Sequence, residues 1–90
     1  MSSNDAMPFE LRCPGVLELP DRNIQFFNQW ADDTAPGGYV VMVSISDDET
    51  IQMREGDVVR VGRVDVRLTK LMDPATVRWP VVGELTPADD

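Results

Sequence analysis

A run of valines interrupted by a glycine-arginine pair constrains this chain more than any other stretch. Val59-Arg60-Val61 and Val64-Asp65-Val66-Arg67-Leu68 alternate apolar and charged residues on either side of Gly62-Arg63, the pattern of two half-buried strands joined by a two-residue loop. With such a loop Val61 faces Val64, Val59 faces Val66, and Arg60 lies opposite Asp65 on the other surface. An opposite-charge cross-strand pair contributes roughly 0.2–1 kcal/mol. A slip of one residue would turn the valines outward, so the apolar and the charged faces both specify the register.

The rest of the chain carries the same grammar. Phe9, Leu11 and Cys13 alternate with Glu10 and Arg12 until Pro14-Gly15, and residues 16–19 form a second short run. In residues 24–30, Ile24, Phe26, Asn28 and Trp30 fit a strand while Ile24, Phe27 and Trp30 fit one helical face; the strand is favoured. A loop at residues 31–38 holds Pro36-Gly37-Gly38, and the strand expected from Tyr39 onward is apolar on both faces. Further strands are expected at residues 51–54 and 64–71, the latter being the second arm of the hairpin. Past Asp73-Pro74, Val77 and Trp79 alternate with Arg78, Pro80 limits pairing, and residues 81–85 read as a final edge strand. Short runs separated by turn residues predict an all-β domain, a single small β-barrel or β-sandwich of about 6–8 short, mainly antiparallel strands. The domain is expected over residues 9–85, with a mobile N-terminal segment at residues 1–8 and a mobile acidic tail at residues 86–90.

A chain of 90 residues makes one domain. At this size only about 60–65% of the unfolded surface is buried, so the core must be compact. Sixteen acids against eight bases give a net charge of −8, which disfavours direct binding to a phosphate backbone. The charge is uneven. Between Asn23 and Met53 the acids Asp32, Asp33, Asp47, Asp48 and Glu49 meet no base, whereas Arg54, Arg60, Arg63, Arg67 and Lys70 outnumber Glu55, Asp57 and Asp65 in the following stretch. The single cysteine has no disulfide or zinc partner, and no apolar run reaches the ~20 residues that span a bilayer. The expected setting is cytoplasmic, without membrane insertion.

The absence of histidine removes the usual general base and the commonest metal ligand. Asp47-Asp48-Glu49 lacks the alternating oxygen ligands of a calcium loop and reads as a solvated turn. Cys13 stands at an inward position and reads as a small buried hydrophobe, and Lys70 at a strand end reads as solvated. Gly37-Gly38 and the glycine of Glu55-Gly56-Asp57 have no following helix to add a dipole for phosphate and read as turn geometry. No catalytic group, metal site or cofactor is therefore expected. Arg60, Arg63 and Arg67, with Val58 beside them, form the candidate partner surface, because guanidinium forks grip carboxylates bidentately and an apolar neighbour adds contact area. Val40 or Met42 could add apolar contact on an outward face. Of Trp30 and Trp79, at least one should be half exposed in so small a core.

Tyr39-Val40-Val41-Met42-Val43, Glu55-Gly56-Asp57, Val61-Gly62, Leu68 and Trp79 together resemble a group of small, uncharacterised, mostly actinobacterial all-β proteins. The resemblance covers roughly half of the chain and implies a fold but no function. Pro80 after Trp79 and the two-signed hairpin depart from that pattern.

These features favour a non-enzymatic interaction or assembly-accessory module that presents a hairpin or edge strand to another protein or to a second copy. An acidic inhibitor of a basic target, acting through Asp32, Asp33, Asp47, Asp48 and Glu49 as an immunity-type protein or nucleic-acid mimic, is the alternative. A small ligand-binding barrel or carboxylate-based enzyme is a further one.

Overall fold

The computed structural model describes residues 6–87, which form eight strands. These are β1 (Met7–Leu11), β2 (Gly15–Glu18), β3 (Asn23–Ala31), β4 (Tyr39–Ser46), β5 (Glu49–Met53), β6 (Val58–Val61), β7 (Val64–Leu71) and β8 (Val81–Pro87), with a short 3-10 turn at Pro36–Gly38. They pair antiparallel in two four-stranded sheets, ordered β1-β8-β7-β6 and β2-β3-β4-β5. Neither sheet closes on itself, so the architecture is a sandwich and not a barrel. The chain changes sheets twice, between β1 and β2 and again between β5 and β6. Among the described residues no helix is long and apolar enough to cross a membrane.

Alternation along each strand builds the core. Leu17, Ile24, Phe26, Val41, Val43, Ile45 and Met53 from one sheet meet Val61, Val66, Leu68, Leu71 and Val81 from the other. All are nearly or fully removed from solvent, and Phe26 at 0% exposure is the largest of the fully buried side chains. The segment at residues 24–30 is a strand, as the burial of Ile24 and Phe26 requires, and a bulge between Phe26 and Asn28 interrupts its ladder with β4. That bulge explains the mixed helix and strand pattern, because the extra residue breaks the period of two and leaves Phe27 exposed.

The expected edge position of residues 81–85 is overturned. Strand β8 is a central strand, paired with β1 on one side and β7 on the other. Proline causes no conflict there, because Pro80 precedes the ladder and takes part through its carbonyl, which accepts the Met72 N–H at 2.9 Å. Pro8 sits within β1, an edge strand, where a missing donor can face away from the sheet. Strand β1 begins at Met7 and β8 reaches Pro87, so strand structure extends into both segments expected to be mobile, while residues 1–5 and 88–90 of those segments lie outside the described residues. The alternation at Val77 to Trp79 produces no strand; residues 72–80 form a looped connection whose first turn is held by Asp73.

Candidate functional site

The hairpin has the register its sequence dictates: Val61 pairs with Val64, Arg60 with Asp65, Val59 with Val66 and Val58 with Arg67. Gly62 has φ of +63° and Arg63 does not share a positive φ, the pattern of a type II′ turn. Arg60 Nε donates to Asp65 Oδ1 at 3.1 Å, with the two side chains 56% and 31% exposed. An ion pair so hydrated contributes at most about 1 kcal/mol. Val58, 48% exposed, Arg67, Glu84 and Pro8 form one row across the outer face of the sheet. Arg60 and Arg67 thus each lie across the ladder from a carboxylate, whereas Arg63 stands apart at the turn.

At that turn Arg63 lines a groove of about 460 Å³ at one end of the sandwich. Its walls are Met7, Val64, Leu85, Pro20 and Pro87, and Glu18 and Asp21 share the rim with Arg63. Four separate pieces of chain meet here: the start of β1, the end of β8, the β6–β7 turn and the β2–β3 turn. Asp21 lies so close to Gly62 that a Cβ at Gly62 would collide with its carboxylate, which fixes the two turns against each other. Leu85 packs against the core and Met7 is 65% exposed, so the groove runs from the fringe of the core out to solvent. Leu85 and Met7 carry no sequence signal for such a groove, since each reads only as one apolar position at a chain end.

The acidic candidates fall into two groups. Asp32 and Asp33 precede β4, while Asp47 and Asp48 form the turn that follows it and Glu49 opens β5. Eight residues of extended chain separate the groups, a span of roughly 25 Å. Asp32 Oδ1 accepts the Thr34 N–H at 2.9 Å and the Thr34 hydroxyl at 2.7 Å, and these two bonds lower its pKa below the ordinary 3.8. Asp32 is thereby a turn-former. Asp33, Asp47, Asp48 and Glu49 are exposed.

Cys13 packs against the core, its Sγ 3.9 Å from the Phe26 carbonyl oxygen to which it donates, and burial raises the thiol pKa from 9.0. The thiol form dominates at neutral pH, so nucleophilic character is weak. Lys70 is exposed, and Val40 is fully buried, so the apolar contact that Val40 was expected to offer on an outward face does not exist. Trp79 is 40% exposed. Among the described residues no three His, Cys, Asp or Glu side chains converge as metal ligands.

Three side chains with structural roles escape sequence reading. Glu55 Oε2 accepts the Leu71 N–H at 2.9 Å where the adjacent strand has turned away, and its carboxylate fills the space beside Gly37, where a Cβ would collide with it. Gln29 reaches between the layers to donate from Nε2 to the Met72 carbonyl at 2.8 Å, leaving its Oε1 buried without a described partner. Arg12 stacks on Trp79, its guanidinium carbon 5.3 Å from the ring centroid. Each depends on a residue at least sixteen positions away, so no local pattern marks it.

No family model matches this chain, and neither a curated protein nor a solved structure matches it significantly.

Proposed function

We propose that the chain is a non-catalytic protein-interaction module whose hairpin tip receives an apolar segment of another protein. The groove of about 460 Å³ formed by Met7, Val64, Leu85, Pro20 and Pro87 carries this reading, because it joins apolar walls to a few polar rim groups that can orient a bound chain. At the rim two carboxylates, Glu18 and Asp21, outweigh the single guanidinium of Arg63, and the whole molecule has a charge of −8. That balance favours a segment flanked by lysine or arginine over an acidic one. Strand β6, an edge of its sheet with half-exposed Val58, lies beside the same turn and offers backbone pairing to an extended partner.

A photo-reactive side chain placed at Met7 tests this in cells that make the protein naturally. The expected adduct is an apolar segment of another protein bordered by basic residues. A synthetic peptide of that segment should bind the purified chain, and Met7→Asp, at an exposed position, should weaken it by about tenfold, or 1.4 kcal/mol. A probe at Thr50 on the opposite sheet serves as the control and should give no such adduct. Adducts only to the ends of the same chain, or to a second copy, would overturn the proposal, as would a peptide whose affinity Met7→Asp leaves unchanged.

A further inference from the structure

The far end of the sandwich holds a cleft of opposite character. Strand β8, seven residues long, starts next to Pro80 and ends in the apolar groove. Around Pro80, a cleft of about 270 Å³ is lined by Arg12, Cys13, Pro74, Val77, Arg78 and Pro80. Two arginines line it and no acidic residue does, although acids outnumber bases two to one in the chain, sixteen to eight. Neither arginine forms an ion pair with a described carboxylate. Asp73, the acid in the adjoining loop, has its Oδ1 engaged by the Ala75 N–H at 2.9 Å.

The cleft is also held in shape. The Trp79 ring lies under the Arg12 guanidinium, which restricts a side chain that would otherwise sample many rotamers. Pro74 and fully buried Pro80 bracket the loop that carries Arg78, and the Pro80 carbonyl is tied to Met72. Two like charges kept on one concave surface without a counter-ion repel each other, and an anion between them removes that cost while accepting their N–H groups in fork geometry. Acids elsewhere on the surface are screened over about 8 Å at physiological ionic strength, so the local sign decides what enters.

We infer that Arg12 and Arg78 form a binding site for a phosphoryl-type oxyanion, presented either as inorganic phosphate or as a phosphate monoester. The apolar side of the cleft, Val77 with Pro74 and Pro80, would contact the organic part of an ester, and an inorganic ion would use the guanidiniums alone.

Amide chemical shifts of the isotope-labelled chain, followed during titration with inorganic phosphate and separately with phenyl phosphate, test the site at constant ionic strength set with sodium chloride. The expected result is saturable shifts confined to residues 12–15 and 74–80. Arg78→Gln, which leaves the Arg12 stack on Trp79 intact, should weaken binding by about tenfold or more, the scale of one lost charge-assisted hydrogen bond. Arg12→Gln should do the same, and Arg54→Gln, in a separate turn, should not. Tighter binding of phenyl phosphate identifies an ester site, and equal or tighter binding of inorganic phosphate identifies an ion site. Shifts that never saturate, that chloride alone reproduces, or that survive Arg78→Gln would overturn the inference.

Discussion

Phe9 lies directly across the β1–β8 ladder from Gly83, and its ring occupies the space that a side chain at Gly83 would need. A Cβ built there would stand 2.6 Å from Phe9 Cζ and would also collide with the Arg67 carbonyl oxygen. Glycine in a central strand usually weakens it, but here the missing side chain admits an aromatic ring over the backbone and seats the edge strand β1 on the sheet.

Gly83→Ala should therefore destabilise the fold by about 1–3 kcal/mol, as overpacking does. Urea unfolding at neutral pH measures it. The loss should shrink in a Phe9→Ala background, because the ring is then gone and only the Arg67 carbonyl resists; equal losses in both backgrounds would show that ring and glycine are independent.

At the hairpin tip, Gly62→Ala faces both a positive φ of +63° and the Asp21 side chain. The backbone alone costs about 1–2 kcal/mol. Asp21→Ala should recover the steric part and leave the conformational part, which thermal unfolding of the two single variants and the double variant separates.

Glu55→Ala removes the acceptor of the Leu71 N–H and should cost about 1.5–3 kcal/mol, the range for hydrogen bonds to charged groups. Glu55→Gln keeps an oxygen in place and should recover most of that. Hydrogen exchange at Leu71 gives the local readout: protection should fall in the alanine variant, and unchanged protection would remove Glu55 from this role.

The pH dependence has two signed components. Asp32 is held below its ordinary 3.8 by the Thr34 bonds, so its contribution is present above that value and is lost as pH falls through the depressed folded pKa. Thr34→Val deletes the hydroxyl bond, and carboxyl NMR titration should show the Asp32 pKa rise. Cys13 is raised above 9.0 by burial, so its contribution is complete below pH 9.0 and declines as pH rises through the folded value. Cys13→Ala should flatten the alkaline limb of a stability profile; an unchanged limb would assign it to other groups.

Triple replacement of Arg60, Arg63 and Arg67 by alanine should leave stability within about 1 kcal/mol, because the Arg60–Asp65 pair is largely hydrated. Among the single variants, Arg63→Ala should change capture of the partner segment most, and in the direction of tighter binding, since Arg63 alone of the three lines the groove and its positive charge opposes a basic-flanked segment. Equal effects of all three on peptide affinity would relocate the contact to the outer sheet face.

Local signals determined much of this protein. The valine alternation around Gly62-Arg63 specifies the observed hairpin register residue by residue, because a period of two and a two-residue turn are properties of adjacent positions. The all-β class was legible in the same way, whereas residues 24–30 fitted strand and helix alike because a bulge breaks their period of two. Beyond that hairpin, tertiary structure decided which strands became neighbours. An alternating segment looks the same whether it has one partner or two, so β8 read as an edge until β1 paired with it, and that pairing joins positions seventy or more residues apart. It also placed Met7, Arg63 and Leu85 around one groove, and Arg12 and Arg78 around another cleft. These sites are assembled from the ends of strands and the turns between them, where side chains meet through space and leave no period in the chain.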